Sequence, residues 1–200
     1  MSVILGYKTS EKIILAADNR CVNKSGDVVS NKIRKIVSVN SHLAVAFCGN
    51  MVIQIMFKKK INSLSKGKNN YYVDDALFWL KEIFLFFKNS EKTFNKQVAS
   101  MPSNFIVAGL NDNLQMFLCS VLFIDDEISM CVSDSFLFTP PHVSFEKYAH
   151  KYVAYLNNNT KNCMKKIVKE ISMESNAVSK TGDIWTYSCT NNKSKIKHFY

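Results

Sequence analysis

The chain has 200 residues, 47% of them apolar, with 26 basic and 16 acidic side chains for a formal charge of +10. That is enough for one domain over residues 1–200 with a substantial core, and the apolar fraction excludes a disordered chain. The most apolar run, Val73 to Phe87, carries Asp74, Asp75, Lys81 and Glu82 and falls short of the ~20 apolar residues of a membrane helix, so no membrane partner is expected.

The predicted elements begin at once. "SVILGYK" and "KIILAAD" form a hairpin across "TSE", pairing Val3–Tyr7 with Ile13–Ala17. A polar loop, "NRCVNKSGDVVSN", follows. "RKIVSV" and "HLAVAFCG" form a second hairpin across Asn40 and Ser41. From Met51 the period becomes helical, with apolar residues at Val52, Ile55, Met56 and Leu64. "SLSKGKNN" breaks it, and a deeply buried helix over Val73 to Phe87 follows, with Asp74 and Asp75 suited to its first turn and Leu77, Leu80 and Phe84 in the core.

The second half repeats the scheme. "FIVAGL" and "LQMFLCSV" are strands joined by "NDN", and "EISMCVSDSFLF" is one further strand region, ended by Pro140 and Pro141. Ser144 caps a helix with Phe145, Tyr148, Ala149, Tyr152, Val153 and Leu156 on one face. Asn157 to Asn159 interrupt, and a second helix carries Met164, Ile167, Val168 and Ile171 inward. "DIWTYSCT" and "KIKHFY" close the chain as a hairpin around Asn191 and Asn192. Hairpins make antiparallel sheets, and paired helices must cover the outer faces. The expected fold class is therefore α/β (α+β): a four-layer α-β-β-α sandwich of two antiparallel sheets flanked by helix pairs.

Other chemistry is sparse. Six scattered cysteines and four histidines supply no clustered ligand set, so neither a metal nor a cofactor is expected, and the thiols read as reduced. No export signal is expected, because no basic segment precedes a small-residue cleavage site. Lys58, Lys59 and Lys60 read as the solvated side of a helix whose other side is Ile53, Met56, Phe57 and Ile61. With no RNP-like or helix-turn-helix pattern, no nucleic-acid partner is expected.

Three stretches carry more. "ILGYKTSEKIILAADNR" ends a hairpin on Asp18 and Arg20, "SNKIRKI" places Lys35 before an apolar strand, and "AVAFCGN" ends on Gly49 ahead of a helix. Together with the order of elements, these resemble the proteasome β-subunit family of N-terminal nucleophile hydrolases. In active members a mature N-terminal threonine attacks the peptide carbonyl, and its own α-amino group, of pKa ~7.7–8.0, takes the proton. A lysine lowers the hydroxyl's pKa, an aspartate holds that lysine, and a glycine N–H stabilises the oxyanion. By position the resemblance places Ser2, Lys35, Asp18 and Gly49 in those roles, with Arg20 beside Asp18.

The same comparison implies that the chemistry is lost. Met1 precedes Ser2, so the Ser2 nitrogen is an amide and not a base. "CVSDSF" stands where active members carry Gly-Ser-Gly, and "NAVSKTG" where they carry Asp-x-x-Ser-Gly-Gly, leaving Asn176 and Ser179 in place of the aspartate and serine. The implied function is a non-catalytic structural β subunit of the 20S core particle, with no catalytic residue. Ser2, Asp18, Arg20, Lys35, Gly49, Asn176 and Ser179 are vestigial positions, the charged ones pinning the two hairpins together. The alternative is a peptidase using Ser2 after removal of Met1.

"MSVILGY" is similar to the opening of the family's non-catalytic fourth β type, while "VAGLN" and "FLCS" are similar to the third. The implied partners are other β subunits in a heteroheptameric ring and the adjacent α ring, in cytoplasm and nucleus. A neighbouring subunit is expected to bury Phe199 and Tyr200.

Overall fold

The computed structural model describes residues 2–23, 25–64, 70–124, 127–155 and 160–200, without the side chains of 153–155 and 160. Expectations on Met1, on residues 65–69 of the "SLSKGKNN" loop, on Leu156, on Asn157 to Asn159 and on the Val153 side chain lie outside the described residues.

The first half runs β1 (Ile4–Lys8), β2 (Lys12–Asp18), β3 (Cys21–Val22), β4 (Val28–Ser30), β5 (Ile36–Ser38), β6 (Leu43–Cys48), α1 (Met51–Ser63), α2 (Val73–Lys88) and α3 (Thr93–Ser100). The second runs β7 (Ser103–Leu110), β8 (Met116–Ile124), β9 (Glu127–Val132), β10 (Ser135–Phe138), α4 (Phe145–Tyr155), α5 (Thr160–Glu174), β11 (Gly182–Ser188) and β12 (Lys193–Phe199). Two five-stranded sheets result, ordered β10-β1-β2-β11-β12 and β5-β6-β7-β8-β9, with every paired neighbour antiparallel.

Strand alternation sorts side chains into layers. Ile4, Ile13, Leu15 and Ala17 face Ala44, Ala46, Ile106 and Ala108 between the sheets. Their neighbours Val3, Leu5, Ile14 and Ala16 turn outward against Met164, Ile167, Val168 and Ile171 of α5. On the far side Val45, Phe47, Phe105 and Val107 pack under Ile53, Phe57, Trp79, Leu80 and Phe84 of α1 and α2. This is the four-layer α-β-β-α sandwich, and each fully buried large side chain in it contributes roughly 1.5–3 kcal/mol. The first hairpin has the expected register, with Ile4 opposite Ala17 and Tyr7 opposite Ile14.

Several expectations change. One outer layer holds three helices and not a pair, because Val98 and Ala99 of the short α3 also reach the core. The loop after Arg20 contains the small β3–β4 hairpin. "EISMCVSDSFLF" is two strands in different sheets: β9 pairs with β8, while β10 pairs with β1. The break lies at Asp134, whose carbonyl accepts the Lys8 N–H at 2.8 Å and whose carboxylate pairs with Lys8 Nζ at 3.0 Å.

The helix faces also differ in detail. α2 leaves Phe78, Leu85 and Phe86 exposed and Leu77 half-buried, so it is not buried all round. On α1, Gln54 takes the buried place expected of Ile55, because its amide donates to the Arg34 carbonyl at 2.6 Å. Phe145 is exposed on α4. Phe199 is buried within its own chain, against the α4–α5 layer, while Tyr200 stays exposed.

Candidate functional site

The end of β2 carries Asp18 into the interior, where it is fully buried. Its Oδ1 accepts the Val3 N–H at 3.0 Å and the Lys35 ammonium at 2.8 Å. Its Oδ2 accepts the Arg20 N–H at 2.8 Å and the Ser179 N–H at 3.3 Å. One carboxylate thus ties together the chain before β1, the turn after β2, the segment before β5 and the loop after α5. Four donors satisfy the charge that burial would otherwise penalise.

Ser2, itself buried, is held beside this centre by the Val3 backbone, whose carbonyl accepts the Asp18 N–H at 3.3 Å. Cys48 Sγ donates to the Ser2 carbonyl at 3.4 Å. Burial pushes the Cys48 thiol's pKa up, against the pull of the Lys35 ammonium. That favours the protonated thiol over the thiolate.

Gly49 joins β6 to α1 at φ +112°, a conformation that favours glycine. A Cβ there would stand 2.7 Å from the Pro102 carbonyl. The next residue, Asn50, caps α1 by accepting the Val52 N–H at 2.9 Å, and its own N–H donates to Ser103 Oγ at 3.1 Å. Ser2, Lys35 and Gly49 line a cleft of about 630 Å³, whose wall includes Cys21, Met51 and Pro140.

Arg20, Asn176 and Ser179 take positions of their own. Arg20 Nε donates to Asn31 Oδ1 at 2.6 Å, and its guanidinium donates to the Asn176 carbonyl at 2.8 Å. Asn176 therefore contributes backbone while remaining exposed. Ser179 is buried, and its hydroxyl donates to the Thr181 carbonyl at 2.6 Å while accepting the Asn19 N–H at 3.1 Å. Of the seven positions, Ser2, Asp18, Lys35 and Gly49 gather at the cleft, with Arg20 on its wall. Ser179 braces the cluster through Asp18, and the Asn176 side chain does not join it.

Sequence reasoning missed the brace behind this cluster. Asn19 is buried, its side-chain amide nitrogen directed at Asp183 Oδ2 (3.1 Å) and its oxygen at His198 Nδ1 (3.3 Å). His198 Nδ1 also lies 3.0 Å from Asp183 Oδ1. The available signal was Asn19 lying between Asp18 and Arg20, and two polar residues, Asp183 and His198, in the closing strands. Among the described residues no group of His, Cys, Asp and Glu side chains is placed to hold a metal.

The family model described as "Proteasome subunit" matches residues 2–122, more than half of the chain, and covers Ser2, Asp18, Arg20, Lys35 and Gly49. No curated protein matches.

Proposed function

The chain belongs to the proteasome subunit family, and from that premise we propose that it is a non-catalytic β-type subunit of the core particle. Family membership gives it a role in the proteasome core, assembled with other proteasome subunits. Within that assembly it fills one place in a heteroheptameric β ring against the adjacent α ring, shaping the chamber in which neighbours cleave peptides. Its opening favours the fourth β type, with the third as runner-up, and it works in cytoplasm and nucleus.

The observation that carries the reading is Ser179. In an active site its hydroxyl would be at the service of a free N-terminal amine. Here the hydroxyl donates to Thr181 and accepts from Asn19, and the Ser179 N–H is given to Asp18. Both polar groups of Ser179 are thus engaged in holding the loop after α5 to the end of β2. The Ser2 nitrogen, acylated by Met1, has no basic lone pair, which removes the general base.

A second reading has its own support. The Asp18–Lys35 pair, Gly49 at positive φ and a cleft beside Ser2 are the furniture of a nucleophile site. Removal of Met1, common before a small residue such as serine, would free the amine for catalysis by Ser2.

One experiment separates the two. Native particle is treated with an electrophile directed at N-terminal nucleophiles, and each chain's mass is measured. The expected result is adducts on other chains and none on this one. The variant Ser2→Ala should leave the particle's peptidase activities unchanged. An adduct on Ser2 overturns the non-catalytic reading.

A further inference from the structure

β12 closes one end of its sheet, so among the described residues the outward N–H and C=O groups of its backbone have no strand to pair with. Lys193, Lys195 and Lys197 alternate along it with Ser194, Ile196 and His198. By that alternation the three lysines share the face of Phe199, which turns toward α4 and α5. Along this face runs an open groove of about 600 Å³, lined by Lys161, Lys193 and Lys195 together with Thr186, Ser188 and Ser194.

The groove is crowded with positive charge. Burial lowers the Lys161 pKa, and Lys12, Lys197, Lys195 and Lys165 lower it further. Among the described residues none of the ammonium groups of Lys12, Lys161, Lys165, Lys193, Lys195 and Lys197 has a carboxylate partner. Lysines on an edge strand repel a second copy of that strand, which guards against self-pairing. The same charges favour a strand of opposite sign.

We propose that β12 is a docking strand for an extended acidic segment of a protein partner, which adds to the sheet edge and sets Asp or Glu at every second position against Lys193, Lys195 and Lys197. Alternate residues of a strand repeat every ~6.6–6.8 Å, so an added strand keeps step with the lysines along its length. The backbone decides between an acidic peptide and a nucleic acid. The outward carbonyls of β12 can accept N–H donors in a ladder, which a peptide supplies and a phosphate chain does not. This inference is independent of whether Ser2 is catalytic.

The test measures binding of a labelled peptide of alternating Glu and Val to the full chain. Lys193→Glu, Lys195→Glu and Lys197→Glu together should weaken binding by about tenfold or more. Reversing Lys32, Lys59 and Lys169, an equal change of net charge elsewhere, should alter it by less than about twofold. On the unaltered chain, methylating alternate backbone nitrogens of the peptide should also weaken binding by about tenfold, since it removes ladder donors and keeps every carboxylate. Equal losses from the two triple variants would reduce the effect to net charge and overturn the proposal. So would undiminished binding of the methylated peptide, or no peptide binding where a single-stranded oligonucleotide binds.

Discussion

Lys35 Nζ lies 2.8 Å from Asp18 Oδ1, with both side chains buried, so an ion pair joins the first hairpin to the second inside the protein. The two partners are not equivalent. Asp18 accepts three backbone N–H groups besides the ammonium, and no other hydrogen bond of the Lys35 ammonium is present among the described residues. Asp18→Ala strands a buried cation and three donors and should lower unfolding free energy by about 3–5 kcal/mol. Lys35→Met leaves a carboxylate with three donors and should be the milder change. Denaturant midpoints of the two variants check the order.

Gly49 and Gly26 offer a controlled comparison of strain. Both have positive φ, +112° and +88°, but a Cβ on Gly49 meets the Pro102 carbonyl at 2.7 Å and one on Gly26 meets nothing within 4 Å. Gly26→Ala should carry only the backbone penalty, about 1 kcal/mol. Gly49→Ala adds a backbone clash and should be clearly worse, with a larger fall in melting temperature.

His42 makes stability depend on pH. It is buried, with Nε2 3.0 Å from the Tyr71 carbonyl and its backbone N–H donated to Asn40 Oδ1 at 2.9 Å. Burial lowers its pKa, with the Tyr71 carbonyl working the other way. The unfolded chain, near pKa 6.5, therefore binds the proton first as pH falls. The stabilisation from neutral His42 is present above pH ~6.5 and is lost as pH drops through the folded value. Unfolding free energies of the wild type and His42→Gln, measured from pH 7.5 to 5, should diverge below pH ~6.5, with the wild type falling faster.

The last two aromatic residues should behave oppositely. Phe199 fills the α4–α5 layer, and its ring lies 2.5 Å from where a Cβ on Gly182 would stand, so the absence of a side chain there makes its seat. Phe199→Ala should destabilise the chain by about 3–5 kcal/mol. Tyr200 is 82% exposed, and Tyr200→Ala should leave the melting temperature unchanged. If it lowers the yield of assembled particle instead, the ring, not the fold, uses that side chain.

Sequence alone determined whatever rests on short-range periodicity. The apolar runs Val3–Tyr7 and Ile13–Ala17 announced a hairpin, and Asn40–Ser41 and Asn191–Asn192 announced their turns, because strand preference and turn geometry are settled within a few residues. Asp18, Arg20, Lys35 and Gly49 were legible through the resemblance of their stretches to the family's. Tertiary structure alone decided which sheet received each half of Glu127–Phe138, since β9 and β10 are equally strand-like and only β8 and β1 distinguish them. It also turned Ser179 onto Asp18, 161 positions earlier, and folded Phe199 into its own core. Those choices rest on contacts between residues far apart in the chain, and such contacts leave no period in the sequence for a reader to find.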